Sequence, residues 1–312
     1  MKHELAIIVP AWKTKYLRES IESILAQSDQ RFQLYIFDDA SPFNIESEIE
    51  SARSSQNVYY HRYSENLGQK SLVQHWNRCI KNTADEKWIW LFSDDDIMSP
   101  KCVESFYQIL EKHPGYAAYR FNTCKIGTDG STIRENYFPE VTDAVQFLNL
   151  KLSYTQESYI VETIFSRKAF NSINGIPDLP LAWASDDLFN VKLALKGNIR
   201  TIPGDLVFWR YSDSNISGEK NRLSAQKKIK ASQTFVRWIL SKKKLKEQLN
   251  PPDLPVRWYV RQIRSLYQQL TLVDEWRAVT GIVFDDKSVL KHYFKMKKDR
   301  NKLTAWLRKF SS

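Results

Sequence analysis

Cysteine is nearly absent from this chain: Cys79, Cys102 and Cys124 are widely spaced and odd in number, which gives neither a disulfide framework nor a metal motif. They read as small packed hydrophobes, and a reducing, cytoplasmic setting is expected. The five histidines show no ligand spacing. Long apolar runs are missing as well. The N-terminal run closes at Trp12, too short for a signal-peptide core, and no stretch reaches the length that spans a bilayer. Glycine is missing from "VPAWKTKYL", where a glycine-rich phosphate loop after a first strand would fall. Apolar residues, in contrast, make up 42% of the 312 residues and aromatics 13%, enough for a sizeable core.

Charge is unevenly placed. Residues 1–219 hold 23 Lys and Arg against 29 Asp and Glu, whereas residues 220–312 hold 23 against 7. An acidic body thus carries a strongly basic tail, which suggests a polyanionic partner for the tail, either an anionic membrane face or nucleic acid.

Hydrophobic spacing divides the first hundred residues into alternating strands and helices. "ELAIIVPAW", "FQLYIFDDAS", "NVYYHRY" and "KWIWLF" read as strands. "YLRESIESILAQS", with Leu17, Ile21, Ile24 and Leu25 at helical spacing, "NIESEIESARSS" and "KSLVQHWNRCIKNT" read as helices between them. That alternation predicts an α/β fold, a mostly parallel sheet covered by helices. Residues 111–219 are more mixed, with "GYAAYRFNTCKIG" a strand and "DDLFNVKLALKGN" a helix. From about residue 220 the tail is expected to be helical, broken by "NPPDLP", with Val256, Tyr259, Val260, Ile263, Leu266, Tyr267 and Leu270 on one apolar stripe.

Sheets of this kind bind ligands outside the carboxyl ends of their strands. The first expected strand ends at Pro10 and Ala11, the second at Asp38 and Asp39, and "KWIWLF" runs into Asp94, Asp95 and Asp96. Three adjacent carboxylates repel one another, so the run is either a solvated acidic turn or the seat of a cation. Hard oxygen ligands of this type suit Mg²⁺ or Mn²⁺, which commonly bind one or two carboxylates and complete their shell with substrate phosphate.

Taken together, "LAIIVPAWK", "SIESILAQS", "FQLYIFDDAS", "NLGQKSLVQHWNRCIK" and "WIWLFSDDDIMSP" occur in the order and spacing of the inverting nucleotide-sugar glycosyltransferases of family 2, which have the Rossmann-like GT-A fold. The resemblance is close over residues 4–110 and looser to about residue 217. It implies that Pro10 and Ala11 lie beside the nucleotide base, that Asp39 bonds the base with Asp38 supporting its loop, and that Asn66 and Gly68 form a loop near the nucleotide. It also implies Asp95 as the principal ligand of Mn²⁺ or Mg²⁺, with Asp94 near the ribose, diphosphate and metal, and Asp96 behind them. Ser93 stands where many members carry the first aspartate, which leaves the number of protein ligands open.

Downstream, Asp186 falls on the family's general-base position, with Ser185 in place of the usual glutamate. An inverting transfer needs such a carboxylate to take the acceptor hydroxyl's proton; a helix cap is the plainer reading of the same residues. The resemblance places Trp183, Asp187, Trp209, Arg210 and Tyr211 on the acceptor side, with "FWRYSDSNISG" lining that side or forming a mobile lid. Core aromatics are the alternative.

The resemblance therefore implies a metal-assisted glycosyltransferase that takes a nucleoside-diphosphate sugar, with a UDP-sugar as the expected donor, and a glycan or lipid-linked glycan as acceptor. Its expected organisation is a catalytic domain over 1–219, divided into a nucleotide-binding half (1–110) and an acceptor-binding half (111–219), and a helical basic region over 220–312. Trp238, Trp258, Trp276, Trp306 and Phe310 among the tail's cations would suit the inner face of the cytoplasmic membrane; a helical bundle is the other reading, and nucleic acid is disfavoured. A nucleotidyltransferase of related fold, or a non-catalytic module that binds membrane or nucleic acid, are the alternatives to a glycosyltransferase.

Overall fold

The computed structural model describes residues 3–53, 55–211 and 220–310, with side chains through residue 299. The chain divides into two compact units. The first comprises residues 1–147, 156–178 and 185–215, and the second residues 148–155, 179–184 and 216–312.

Among the described residues the first unit is built on ten strands: β1 (Leu5–Ala11), β2 (Phe32–Asp38), β3 (Val58–Arg62), β4 (Trp88–Leu91), β5 (Ile97–Met98), β6 (Ala118–Ile126), β7 (Thr132–Asn136), β8 (Val141–Thr142), β9 (Thr163–Ser166) and β10 (Ile199–Arg210). Their order is β3-β2-β1-β4-β9-β6-β10-β5, with β7 beside β6 and β8 beside β10. Strands β3, β2, β1 and β4 run parallel, so their carboxyl ends share one edge. Strand β9 is antiparallel to both of its neighbours, β4 and β6. This is the helix-covered, mostly parallel sheet that the sequence predicts.

Strand β1 shows why the apolar runs are continuous rather than alternating. Leu5, Ala6, Ile7, Ile8 and Val9 are all fully buried, because helices cover both faces of the sheet. Leu17, Ile21 and Ile24 of the helix Leu17–Leu25 pack into the same core. In β4, Trp90 is fully buried, stacks on Phe121 at 5.1 Å and donates its indole N–H to the main-chain oxygen of Val161 at 2.7 Å. A buried Trp whose N–H is satisfied contributes area without an orphaned donor, and it fixes the strand that carries the aspartate run.

In the second unit the helices Arg222–Leu240, Leu254–Ser265, Leu272–Val283 and Ser288–Phe310 pack together. The apolar stripe holds for Val256, Tyr259, Val260 and Ile263, which are buried. It does not continue as expected: the helix ends at Ser265, and Tyr267 is exposed. Trp258, expected among membrane-facing aromatics, is instead buried against Phe235 at 5.5 Å. Trp276 is exposed, while the side chains of Trp306 and Phe310 lie outside the described residues. Among the described residues no helix is long and apolar enough to cross a membrane.

Candidate active site

Three strand ends converge through main-chain hydrogen bonds. After β1, the amides of Trp12 and Lys13 both donate to Asp94 Oδ2, at 3.0 and 2.9 Å, which ties the β1 end to the β4 end. After β2, the amide of Asp39 donates to the main-chain oxygen of Ala11 at 3.1 Å, and the Ser41 hydroxyl donates to that of Trp12 at 2.7 Å. Pro10, Ala11, Asp38, Asp39 and Asp94 are thereby brought to one place. The parallel order β2-β1-β4 dictates that neighbourhood, because adjacent parallel strands present adjacent carboxyl ends.

Asp39 is 2% exposed and bound from several sides. Its Oδ1 accepts the Leu67 amide at 2.9 Å and pairs with Arg78 Nη2 at 2.5 Å; its Oδ2 accepts the Gly68 amide at 2.7 Å. The loop after Asn66 is thus fastened to the β2 end, and Asn66 Oδ1 itself accepts the Gln69 amide at 2.7 Å. A Cβ on Gly68 would sit 2.6 Å from Asp39 Oδ2, so only glycine allows this approach. His75 Nδ1 lies 3.3 Å from Asp39 Oδ1, yet burial holds the imidazole's pKa down to about 4. Arg78 is accordingly the cationic partner of Asp39 at neutral pH. Asp38, fully buried, accepts the Ser41 amide at 2.7 Å and the Tyr60 hydroxyl at 3.0 Å, and pairs with Arg62. It holds the turn that Ala40, at a φ of +52°, completes.

The aspartate run is a buried cluster rather than a solvated turn, with Asp94 and Asp95 each 9% exposed and Asp96 1% exposed. Burial, together with the charge of Asp95, raises the pKa of Asp94 to about 6. The same causes hold Asp96 well above the ordinary carboxylate range. Asp95 Oδ1 accepts the Ser93 hydroxyl at 2.6 Å. Asp96 Oδ1 accepts the Arg210 amide at 2.7 Å, and its buried Oδ2 has no hydrogen-bond partner among the described residues.

Among the described residues no group of three or more His, Cys, Asp or Glu side chains forms a ready metal cage. The residues nevertheless fit a hard divalent ion held by two carboxylates and substrate phosphate. Crowded carboxylates, with Asp94 and Asp96 pushed toward protonation, are what such a cation relieves.

Asp186 and Asp187 stand at the start of the helix Ser185–Gly197, where Asp186 is half-buried and its Oδ1 accepts the Asp187 amide at 2.9 Å. Asp187 is buried. Positive φ angles at Leu181, Ala182 and Ala184 show that the chain enters this helix through a strained turn. Trp209 is half-buried and stacked on Tyr159 at 4.1 Å, Tyr211 is exposed beside it, and Lys125 Nζ lies 4.9 Å from the Tyr211 ring centre. Trp183 belongs to the second unit, where the Lys228 ammonium lies 5.0 Å from its ring centre. Arg210, expected on the acceptor side, is 2% exposed: its Nε donates to the main-chain oxygen of Asp95 at 2.9 Å and its Nη2 pairs with Glu19 at 2.7 Å. The rest of the segment expected on the acceptor side or as a lid, residues 212–218, lies outside the described residues.

Sequence reasoning missed Arg78, His75, Ser41 and Glu19. For the first two a signal existed, since "HWNRC" puts His75, Arg78 and Cys79 on one face of the helix Leu72–Lys81.

Residues 6–172 match the family described as Glycosyl transferase family 2. An uncharacterized glycosyltransferase of Rickettsia felis is 34% identical over 110 residues, which are 35% of this chain and 17% of that protein. The match therefore takes in only about a sixth of that relative's length. Among solved structures, S. aureus TarS 1-349 is similar with a TM-score of 0.70 at 15% identity, covering 96% of this chain and 91% of that one; it has also been solved in complex with UDP-GlcNAc. The mannosyltransferase PcManGT of Pyrobaculum calidifontis, in complex with GDP-Man and Mn²⁺, is similar with a TM-score of 0.52 at 13% identity, covering 95% of this chain and 85% of that one.

Proposed function

The chain belongs to glycosyltransferase family 2, and from that premise we propose that it transfers a sugar, with inversion, from a nucleoside-diphosphate sugar to a glycan or lipid-linked glycan acceptor. The observation that carries this reading is the tie between Asp94 and the amides of Trp12 and Lys13, which sets buried carboxylates beside the β1 end with Asp39 next to them.

In this reading Pro10, Ala11 and Asp39 form the base pocket, and Asn66 and Gly68 form its flanking loop. Asp39, its charge balanced by Arg78, presents a fixed acceptor edge to the base. Asp95 and Asp94 would hold Mn²⁺ or Mg²⁺, an ion that when bound neutralises the departing diphosphate. Asp186 accepts the proton of the acceptor hydroxyl as that oxygen attacks the anomeric carbon from the face opposite the diphosphate. The UDP-GlcNAc complex of TarS and the GDP-Man and Mn²⁺ complex of PcManGT support a nucleotide-sugar donor and a metal, with a UDP-sugar as the first donor to test.

Residues 1–219 would then form the catalytic domain, with the base and diphosphate on 1–110 and the acceptor on 111–219. The basic region 220–312 would rest on an anionic membrane face at the cytoplasmic side, in support of which stand its 23 cationic residues against 7 acidic ones.

A thermal-shift panel of nucleoside diphosphates and nucleotide sugars, with and without Mn²⁺, tests the donor. A metal-dependent shift with one nucleotide class is expected; no shift with any member overturns the reading. Asp186→Asn should keep donor binding and lose transfer by about 100-fold or more. An active Asp186→Asn protein removes that residue from the mechanism.

A further inference from the structure

A second charged site lies in the helical unit, in residues that the sugar-transfer reading does not use. The helix Leu254–Ser265 places Arg257, Arg261 and Arg264 at helical spacing along one face. Across a cleft of about 370 Å³, the helix Ser288–Phe310 places Lys291, His292 and Lys295, and Val260 and Met296 supply apolar lining. Among the described residues Asp299 is the only acidic one lining the cleft.

Charge within this cleft is poorly balanced. Asp253 takes up Arg257 and His292, with 2.8 Å contacts to Arg257 Nε and His292 Nε2. Arg261 has its guanidinium 5.5 Å from the Tyr154 ring centre. Arg261, Arg264, Lys291 and Lys295 form no ion pair among the described residues, although other cations of this unit do: Arg222 with Asp274, Lys246 with Asp286 and Lys297 with Glu275. Four cations that form no ion pair among the described residues, on two facing helices, repel one another. Their convergence on one cleft makes it a favourable seat for an anion.

The shape narrows the ligand. Guanidinium forks with ammonium groups opposite them match phosphoryl oxygens, which accept several charge-assisted hydrogen bonds at once. A cleft of about 370 Å³ admits a compact phosphoryl group. Val260 and Met296 leave apolar contact for a carbon substituent beside the phosphate.

We propose that the cleft between the helices Leu254–Ser265 and Ser288–Phe310 is a binding site for a phosphoryl anion of diphosphate size, gripped by Arg261, Arg264, Lys291 and Lys295. The proposal stands apart from the reading of the aspartate site and survives its failure. Two sources carry this chemistry, a soluble phosphorylated molecule and the headgroup of an anionic lipid.

The experiment uses the full chain in two arms: calorimetric titration with inorganic pyrophosphate, and co-sedimentation with phosphatidylcholine vesicles with and without phosphatidic acid. The test variant is Arg264→Gln with Lys295→Gln, and the single Lys295→Gln serves as a milder version. Lys243→Gln with Lys244→Gln, on exposed residues of the helix Lys243–Glu247, removes the same charge elsewhere. Binding is expected in at least one arm, weakened about tenfold or more by the cleft variant and little changed by the control. A pyrophosphate response identifies a soluble ligand, and a response confined to phosphatidic acid vesicles identifies a headgroup. Absence of binding in both arms, or equal weakening by the cleft and control variants, overturns the proposal. Nucleotide-induced thermal shifts of the same variants, expected to match the parent chain, separate this result from any failure at the aspartate site.

Discussion

The main-chain amide of Arg210 donates to Asp96 Oδ1 at 2.7 Å, across 114 residues of sequence, while the guanidinium of the same residue holds the main-chain oxygen of Asp95 at 2.9 Å. The end of β10 thereby fixes the aspartate run from behind. Glu19, on the first helix, anchors the far side of the guanidinium at 2.7 Å.

Arg210 is thus a positioning residue. Arg210→Gln should weaken the apparent affinity for Mn²⁺ with nucleotide by about tenfold and lower stability by about 2–4 kcal/mol, because it leaves the Asp95 oxygen and Glu19 without their cation. Arg210→Lys keeps a charge near Glu19 but lacks the planar fork, and should restore stability more than metal affinity. Calorimetry of Mn²⁺ and nucleotide binding beside urea denaturation checks both; equal recovery of the two by Lys would make the role one of charge alone.

How much of this was legible depends on distance along the chain. The strand ends at Asp38–Asp39 and Asp94–Asp96 are local features, an apolar run followed by carboxylates, and sequence alone finds them. The antiparallel insertion of β9 between β4 and β6 is a pairing between distant segments that periodicity does not encode. Arg210 is another case: its sequence neighbours Trp209 and Tyr211 suggest a sugar-facing strip, and only the pairing of β10 with β5 and β6 turns its side chain beneath the aspartates. In the tail, the helical stripe was readable, but which tryptophans it buries was not. Trp258 goes inward because Phe235 of the preceding long helix meets it.

Stability should depend on pH through Asp94. Its folded pKa of about 6 lies above the ordinary carboxylate value of 3.8, so the folded state holds a proton that the unfolded state releases. The stability tied to that proton is fully present below the unfolded pKa and is lost as pH rises through about 6. Asp94→Asn should therefore stabilise the metal-free chain at pH near 7.5 by about 1–3 kcal/mol, and the gain should vanish as pH falls toward 4. Urea denaturation at several pH values measures it; a gain independent of pH would exclude titration as its cause.

Gly68 offers a steric test of the base pocket. A methyl group there would meet Asp39 Oδ2 at 2.6 Å, and that oxygen is also held by the Gly68 amide at 2.7 Å. Gly68→Ala must push either the loop or the carboxylate aside, at a cost of about 1–3 kcal/mol. Nucleotide affinity should fall about tenfold, as expected when a fixed hydrogen-bonding edge is displaced. Isothermal titration with UDP checks the affinity, and unchanged binding would place the base elsewhere.

Ser93 offers the last test, because it occupies the position where the family resemblance leads one to expect a carboxylate. Its hydroxyl donates to Asp95 Oδ1 at 2.6 Å, so it orients the oxygen pair that would face a metal while adding no charge. Ser93→Ala removes that hydrogen bond and should weaken Mn²⁺ binding by about threefold to tenfold without changing its stoichiometry. Ser93→Asp instead adds a fourth carboxylate to a run in which Asp94 and Asp96 are already pushed toward protonation. The metal-free protein should then lose about 1–2 kcal/mol near neutral pH, through like-charge repulsion in a buried site. Mn²⁺ should restore more stability to Ser93→Asp than it gives the parent chain, since the added carboxylate is neutralised only when the ion is present. Thermal melts of the parent and both variants, across a Mn²⁺ titration, read this difference directly. If Ser93→Asp is destabilised and Mn²⁺ returns nothing, the aspartate run is not where the cation binds.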